Sequence, residues 1–122
     1  MASTVGDYVV VSKTGFNRTI GGDIDQDFAF SLPSSAAVQQ SAVLMIMVDT
    51  TATQALKADV LLNGTKVLTY GPSGADLVRP LYAAVAGGVL KPGSNTLTIR
   101  IGGTAGRFKA SDLLLMFQNN VP

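Results

Sequence analysis

The sequence predicts an antiparallel β-sandwich of about eight strands. Short runs rich in β-branched and aromatic residues recur at near-regular intervals, and glycine, proline and asparagine separate them. No stretch keeps the 3.6-residue apolar period of a helix. Hydrophobic residues make up 47% of the 122 residues and charged residues 14%, which favours packed sheets over a disordered chain. We expect residues 1–122 to form a single domain.

The eight predicted strands follow one another along the chain. They are Tyr8–Ser12, Asp27–Leu32, Ser41–Asp49, Asp59–Leu62, Lys66–Tyr70, Leu81–Ala86, Asn95–Ile101 and Lys109–Gln118. Asn63-Gly64 predicts a tight hairpin between the fourth and fifth strands, because both residue types accept positive φ. In the seventh strand, aliphatic residues alternate with threonine and arginine, which predicts one buried and one exposed face.

The second half of the chain resembles the galactose-binding-like jelly-roll domains. The similarity covers residues 56–118 and comprises an "LNG" hairpin, an "LKPGSN" turn, an "LTIRI" strand and a final "SDLLL" strand. In the turn, Pro92 presets φ, Gly93 accepts positive φ, and the side chain of Asn95 can bond the loop backbone. The resemblance implies a jelly-roll arrangement of the sandwich and a role as a carbohydrate-binding module.

Composition argues against most enzyme chemistry. The chain contains no histidine, cysteine or tryptophan, and all eight acidic residues are aspartate. Ser-His-Asp and Cys-His catalysis and the usual zinc sites are therefore excluded. Glycoside hydrolysis by paired aspartates, such as Asp112 or the Asp23–Asp27 group, is the weakest alternative. We expect the protein not to be an enzyme.

Charge and hydropathy also limit the partners. The net charge is +1 with no basic run, so we expect no nucleic-acid partner. No stretch approaches the ~18–20 apolar residues of a membrane helix, so we expect no membrane insertion. No secretory leader is recognisable at the start of the sequence. An extracellular, virion or surface-associated location is favoured.

Three aspartates two residues apart form a candidate cation site. Asp23, Asp25 and Asp27 share one face of an extended chain, and carboxylate oxygens suit calcium. The opposite face carries Phe28 and Phe30, which predicts that the aromatic side packs inward. The alternative is a solvated acidic face, or one paired with arginine or lysine, because positions two apart along a strand lie ~6.5–7 Å from each other.

Tyrosine and arginine side chains in or beside glycine-rich loops are the candidate ligand contacts. Tyr70 leads into "GPSGADLVRP", which contains Arg79; Tyr82 follows it, and Arg107 lies in "GGTAGRF". A guanidinium and a phenol ring can hold a sugar by paired hydrogen bonds and stacking. The alternative is that these are ordinary surface loops.

Apolar residues outnumber the positions that one sandwich core can hide. "AVLMIMV" and "LLLMF" are apolar on both faces, whereas a strand with one solvent-exposed face alternates apolar and polar residues. We therefore expect Val43, Met45, Met47 and Met116 to form an interface in a homo-oligomer. Coverage by the local loops 34–40 or 52–57 is the alternative.

These observations predict a non-catalytic, lectin-like carbohydrate-binding module that self-associates. The alternative is a structural assembly subunit of a virion, tail or appendage without a small-molecule site. Calcium is the only cofactor that the residues suggest.

Overall fold

The computed structural model describes residues 3–19, 24–51, 56–70, 77–103 and 106–121. These residues form nine strands. They are β1 (Ser3–Ser12), β2 (Phe16–Thr19), β3 (Ile24–Leu32), β4 (Ala42–Thr51), β5 (Leu56–Leu62), β6 (Thr65–Tyr70), β7 (Leu77–Val85), β8 (Gly93–Gly103) and β9 (Arg107–Val121). Among the described residues there is no helix that is long and apolar enough to cross a membrane.

The strands form two antiparallel sheets that pack face to face. One sheet has the order β1-β9-β4-β7, with β2 paired to β9 beyond β1, and the other has the order β3-β8-β5-β6. β1 and β2 pair with successive parts of β9 and together act as one edge strand. Counted in this way, the eight strands have jelly-roll order, which confirms the predicted fold class.

The core lies between the sheets and is formed by alternate residues of the central strands. In β8, Leu97, Ile99 and Ile101 are fully buried while the residues between them face outward. In β4 the buried set starts at Ala42 and continues through every second residue to Thr50. The alternation predicted for "LTIRI" is confirmed, and it fixes which side chains remain on the two outer faces.

The turns at one end of the second sheet have the conformation and hydrogen bonds that the sequence predicts. Asn63 and Gly64 join β5 to β6 with φ angles of 49° and 85°, as a tight hairpin requires. The buried Asn95 side chain donates to the carbonyl oxygens of Lys91 and Gly93 and accepts from the amide of Lys91. The predicted bonding of Asn95 to its loop is confirmed.

The edge of the first sheet extends further than the sequence pattern indicated. β1 begins at Ser3, five residues before the predicted start, and β9 continues to Val121. Their ends pair with each other, Ser3 opposite Val121, outside the span of β4. Because both sides of these ends are exposed, no apolar alternation marks them in the sequence.

Candidate functional site

The outer face of the four-stranded sheet carries a row of polar side chains from four strands. Backbone register places Asp25 of β3 opposite Arg100 of β8, Arg100 opposite Asp59 of β5, and Asp59 opposite Thr69 of β6. All four side chains lie on the outer face because their neighbours along each strand point into the core; Asp59 is half-buried and the other three are exposed. We call this row, with Lys57 and Gly102 beside it, the polar site.

Arg100 is the centre of the polar site. Its Nε and a terminal guanidinium nitrogen donate to the two carboxylate oxygens of Asp25 over 3.1 and 3.3 Å. This hydrogen bond and the charge of Asp25 raise the pKa of Arg100 above its usual value, and the charge of Asp59 adds to the effect. An arginine guanidinium stays charged at neutral and alkaline pH, and the N–H groups of Arg100 that do not bond Asp25 can donate to a ligand.

An open groove of about 560 Å³ lies beside this row. Its lining comprises Ile24, Asp25, Lys57, Asp59, Arg100, Ile101 and Gly102. Gly102 occupies an outward position of β8 opposite Lys57 and has no side chain, so a depression remains between the charged groups. Carboxylates that accept hydrogen bonds and cations that donate them thus converge on one concave surface.

The third aspartate of the acidic stretch points to the same outer face. Asp27 accepts a 2.7 Å hydrogen bond from the Thr98 hydroxyl, while Asp25 is held by Arg100. The inward face of β3 carries Phe28 and Phe30, as predicted. Asp23 lies outside the described residues, and within them no three acidic side chains are close enough to hold a metal ion. The calcium site stays a prediction.

One part of the outer face of the five-stranded sheet is apolar, in contrast to the polar site. One cross-strand row runs Tyr8–Met116–Val43–Ala84, and the next runs Val10–Leu114–Met45–Tyr82. Met47 and Pro80 continue the surface below these rows. We call these ten residues the apolar patch. It contains Val43, Met45, Met47 and Met116, all facing away from the core; their contact with another copy stays a prediction.

The predicted ligand contact at Tyr70 requires correction. Its side chain is only 5% exposed, and the ring packs edge-on against Phe108 with the centroids 6.0 Å apart. Its hydroxyl lies 3.3 Å from that of the buried Thr50. The residue ends β6 at a position that alternation turns inward, so the ring belongs to the core and not to a ligand surface.

The other predicted ligand contacts do not form one site. Tyr82 is 59% exposed within the apolar patch. Arg107 is exposed near the other end of the sheet, where its Nε donates to Asn17 over 2.7 Å. Their partners Met45 and Thr51 are six positions apart on β4, about 20 Å by strand rise. The backbone of Arg79 lies in β7, and its side chain is outside the described part of the structure.

Sequence reasoning missed Lys57, Asp59, Thr69, Arg100 and Gly102 as members of a site. Alternation in β8 already placed Arg100 outward, and this was the only local signal. Its partner Asp25 is 75 residues away in the sequence, and the pairing of β3 with β8 brings the two together.

Comparison with known proteins identifies the fold without identifying a family. No family model matches the chain, and no curated protein matches it in sequence. Among solved structures, dimeric latent PorU from Porphyromonas gingivalis aligns with 96% of this chain at 9% identity and a TM-score of 0.70. A β-porphyranase of glycoside hydrolase family 86 from the human gut bacterium Bacteroides plebeius aligns with 99% at 18% identity and a TM-score of 0.68.

A smaller protein also shares the fold over nearly its whole length. A family 35 carbohydrate-binding module from an environmental isolate aligns with 100% of this chain and 85% of its own, at 17% identity and a TM-score of 0.54. By contrast, this chain spans only 13% of the PorU chain and 22% of the β-porphyranase chain. At these identities the similarity shows a shared β-sandwich fold.

Proposed function

We propose that the protein is a non-catalytic carbohydrate-binding module that binds its ligand at the polar site. The convergence of Asp25, Arg100 and Asp59 on one open groove carries this proposal. Adjacent sugar hydroxyls each donate and accept hydrogen bonds, and neighbouring carboxylate and guanidinium groups match them. The fold shared with a carbohydrate-binding module supports the same function. An extracellular or surface-associated location is part of the proposal.

The polar site favours an extended glycan over a deeply enclosed sugar. The groove is open and lies across strands, and its described polar groups reach solvent. The charged residues are already oriented by register and by the Arg100–Asp25 hydrogen bonds, so binding orders few side chains. An open hydrogen-bonding surface supports modest affinity, and we expect dissociation constants of about 0.1–1 mM for oligosaccharides, equivalent to about −4 to −5.5 kcal/mol.

The experiment compares two arginine variants on a glycan array, followed by calorimetry with the best oligosaccharide. Arg100→Ala removes the central donor of the polar site, and we expect affinity to fall at least about tenfold. Arg107→Ala is the matched control, because Arg107 is also exposed and hydrogen-bonded but lies on the other sheet. If binding survives Arg100→Ala and is lost in Arg107→Ala, the ligand does not bind at the polar site. The ligand contact that the sequence predicted at Arg107 would then be favoured.

The apolar patch favours a second candidate function, that of a structural assembly subunit of a virion, tail or appendage. A surface with Tyr8 65% exposed and Tyr82 59% exposed suits contact with other protein chains. This function predicts a large closed or filamentous assembly in light scattering and no saturable binding to any glycan. A small particle that binds glycans would exclude it.

A further inference from the structure

We propose that the apolar patch binds a second copy of this chain in a face-to-face dimer whose twofold axis runs parallel to the strands, between β9 and β4. This interaction is independent of glycan binding, which we assign to the opposite sheet. Three features support the dimer: the size of the patch, rows in which large side chains of one copy lie over smaller ones of the other, and the charges at one end of the patch.

The patch has the extent of a stable interface. Four strands and three to four rows give a footprint of about 20 Å by 20 Å. With side-chain relief and a polar rim this presents on the order of 600–800 Å² of accessible surface, against ~800 Å² per partner in a standard interface. An apolar patch with this footprint on a protein surface is often functional.

The order of residues in each row makes the patch self-complementary. Rotation about the proposed axis places β1 of one copy over β7 of the other, and β9 over β4. Tyr8 then lies over Ala84 of the second copy, and Tyr82 lies over Val10. Each tyrosine therefore faces a smaller side chain, and a symmetric contact of this kind forms twice.

The outward side chains of the two central strands, β9 and β4, are also complementary across the interface. Met116 lies over Val43 of the second copy, and Leu114 lies over Met45. The flexible thioethers of methionine fill irregular gaps between two packed sheets. Sheets that pack face to face lie about 10 Å apart with strand directions about 30° from each other, which the twist of both sheets allows.

Charges at the end of the patch select this axis over the alternative. Asp49 of β4 and Lys109 of β9 are register partners on the row below Met47. The proposed axis places Asp49 of each copy over Lys109 of the other, so two opposite-charge contacts form. An axis perpendicular to the strands would instead place this charged row against Val43 and Met116, which disfavours it.

The first experiment measures the dimer dissociation constant by sedimentation equilibrium. We expect the wild type to sediment at twice the monomer mass in the micromolar range. Val43→Arg buries an unpaired charge on a central strand of the interface and should weaken the dimer at least about 100-fold. Thr96→Arg is the matched control, since Thr96 is exposed on the central strand of the other sheet, and it should leave the dimer unchanged. Unchanged circular dichroism spectra and melting temperatures establish that both variants fold.

The second experiment tests the axis by charge exchange. Asp49→Lys and Lys109→Asp each create like-charge contacts across the interface, and either variant alone should dimerise at least about tenfold more weakly than the wild type. When the two variants are mixed, opposite charges meet again at both contacts, and a heterodimer should form with near wild-type affinity.

A monomeric wild type at 100 µM overturns the proposal, as does a Val43→Arg protein that dimerises like the wild type. A dimer that loses affinity in both charge variants but is not restored by mixing them overturns the axis. An open assembly larger than a dimer overturns the closed twofold contact.

Discussion

At the scale of single residues, the buried side chain of Asn95 holds a turn rather than a ligand. Asn95 is 3% exposed and engages four groups: the Lys91 amide, the carbonyls of Lys91 and Gly93, and the Asn63 side chain. Asn63 also donates to the Val89 carbonyl and accepts from the Thr96 amide. Two asparagines thus join the β5–β6 hairpin to the loop before β8.

We expect Asn95→Ala to lower the free energy of unfolding by about 2–4 kcal/mol. The substitution leaves the Lys91 amide and two carbonyls without their buried partner, and each unsatisfied group costs about 1–3 kcal/mol. Urea denaturation measures the change. Asn120→Ala, at an exposed position near the end of β9, is the control and should stay within about 0.5 kcal/mol of the wild type. Equal stability of the two variants would contradict a structural role for the asparagine network.

At the scale of strands, the sequence identified elements where the local pattern and the fold agree. "LTIRI" alternates because its strand has one wet face, and Asn63-Gly64 turns because both residues tolerate positive φ. Both faces of "AVLMIMV" are apolar, so alternation alone could not separate them, but the set predicted to face outward does face away from the core. Sequence reasoning also predicted that Tyr70, the last residue of a predicted strand, contacts a ligand, because a glycine-rich loop follows it. Pairing between distant strands has no local signal, so the polar site escaped prediction.

The junction between β1 and β2, at the edge of the five-stranded sheet, depends on one glycine. Gly15 has φ of +56°, and a Cβ there would overlap the carbonyl oxygen of Ala110 in β9. The Gly15 amide also bonds the Ser12 hydroxyl, and the Asp112 amide in the neighbouring bulge bonds the Lys13 carbonyl. The chain therefore leaves β9 and rejoins it within three residues, and only glycine fits.

We expect Gly15→Ala to destabilise the fold by about 2–4 kcal/mol, because it combines an unfavourable φ with backbone overlap. Thermal unfolding measures the loss, and hydrogen exchange should show it first in β2. Gly6→Ala is the matched control, since Gly6 is in the same edge strand and nothing lies within 4 Å of a Cβ placed there. It should change stability by no more than about 0.5 kcal/mol. Similar losses in both variants would contradict a specific requirement for glycine at position 15.

At the scale of the whole molecule, the two sheets present surfaces of opposite character. The five-stranded sheet carries the apolar patch on its outer face, and the four-stranded sheet carries the polar site on its own. If two copies pack through their apolar patches, four sheets stack about 10 Å apart, and the two polar sites face in opposite directions about 30 Å from each other. Such a dimer cannot place both sites on one flat glycan surface, but it can join two polysaccharide chains.

We therefore expect the wild-type protein to cross-link a polysaccharide that carries its glycan, with turbidity greatest near equal numbers of sites and ligands. Val43→Arg should bind the same oligosaccharide as tightly as the wild type but produce no turbidity, because each particle then has one polar site. Arg100→Ala should lose both binding and turbidity while it remains dimeric. Turbidity that persists in a monomeric Val43→Arg protein would mean that one chain holds two glycan sites. It would contradict the assignment of glycan binding to one sheet and dimerisation to the other.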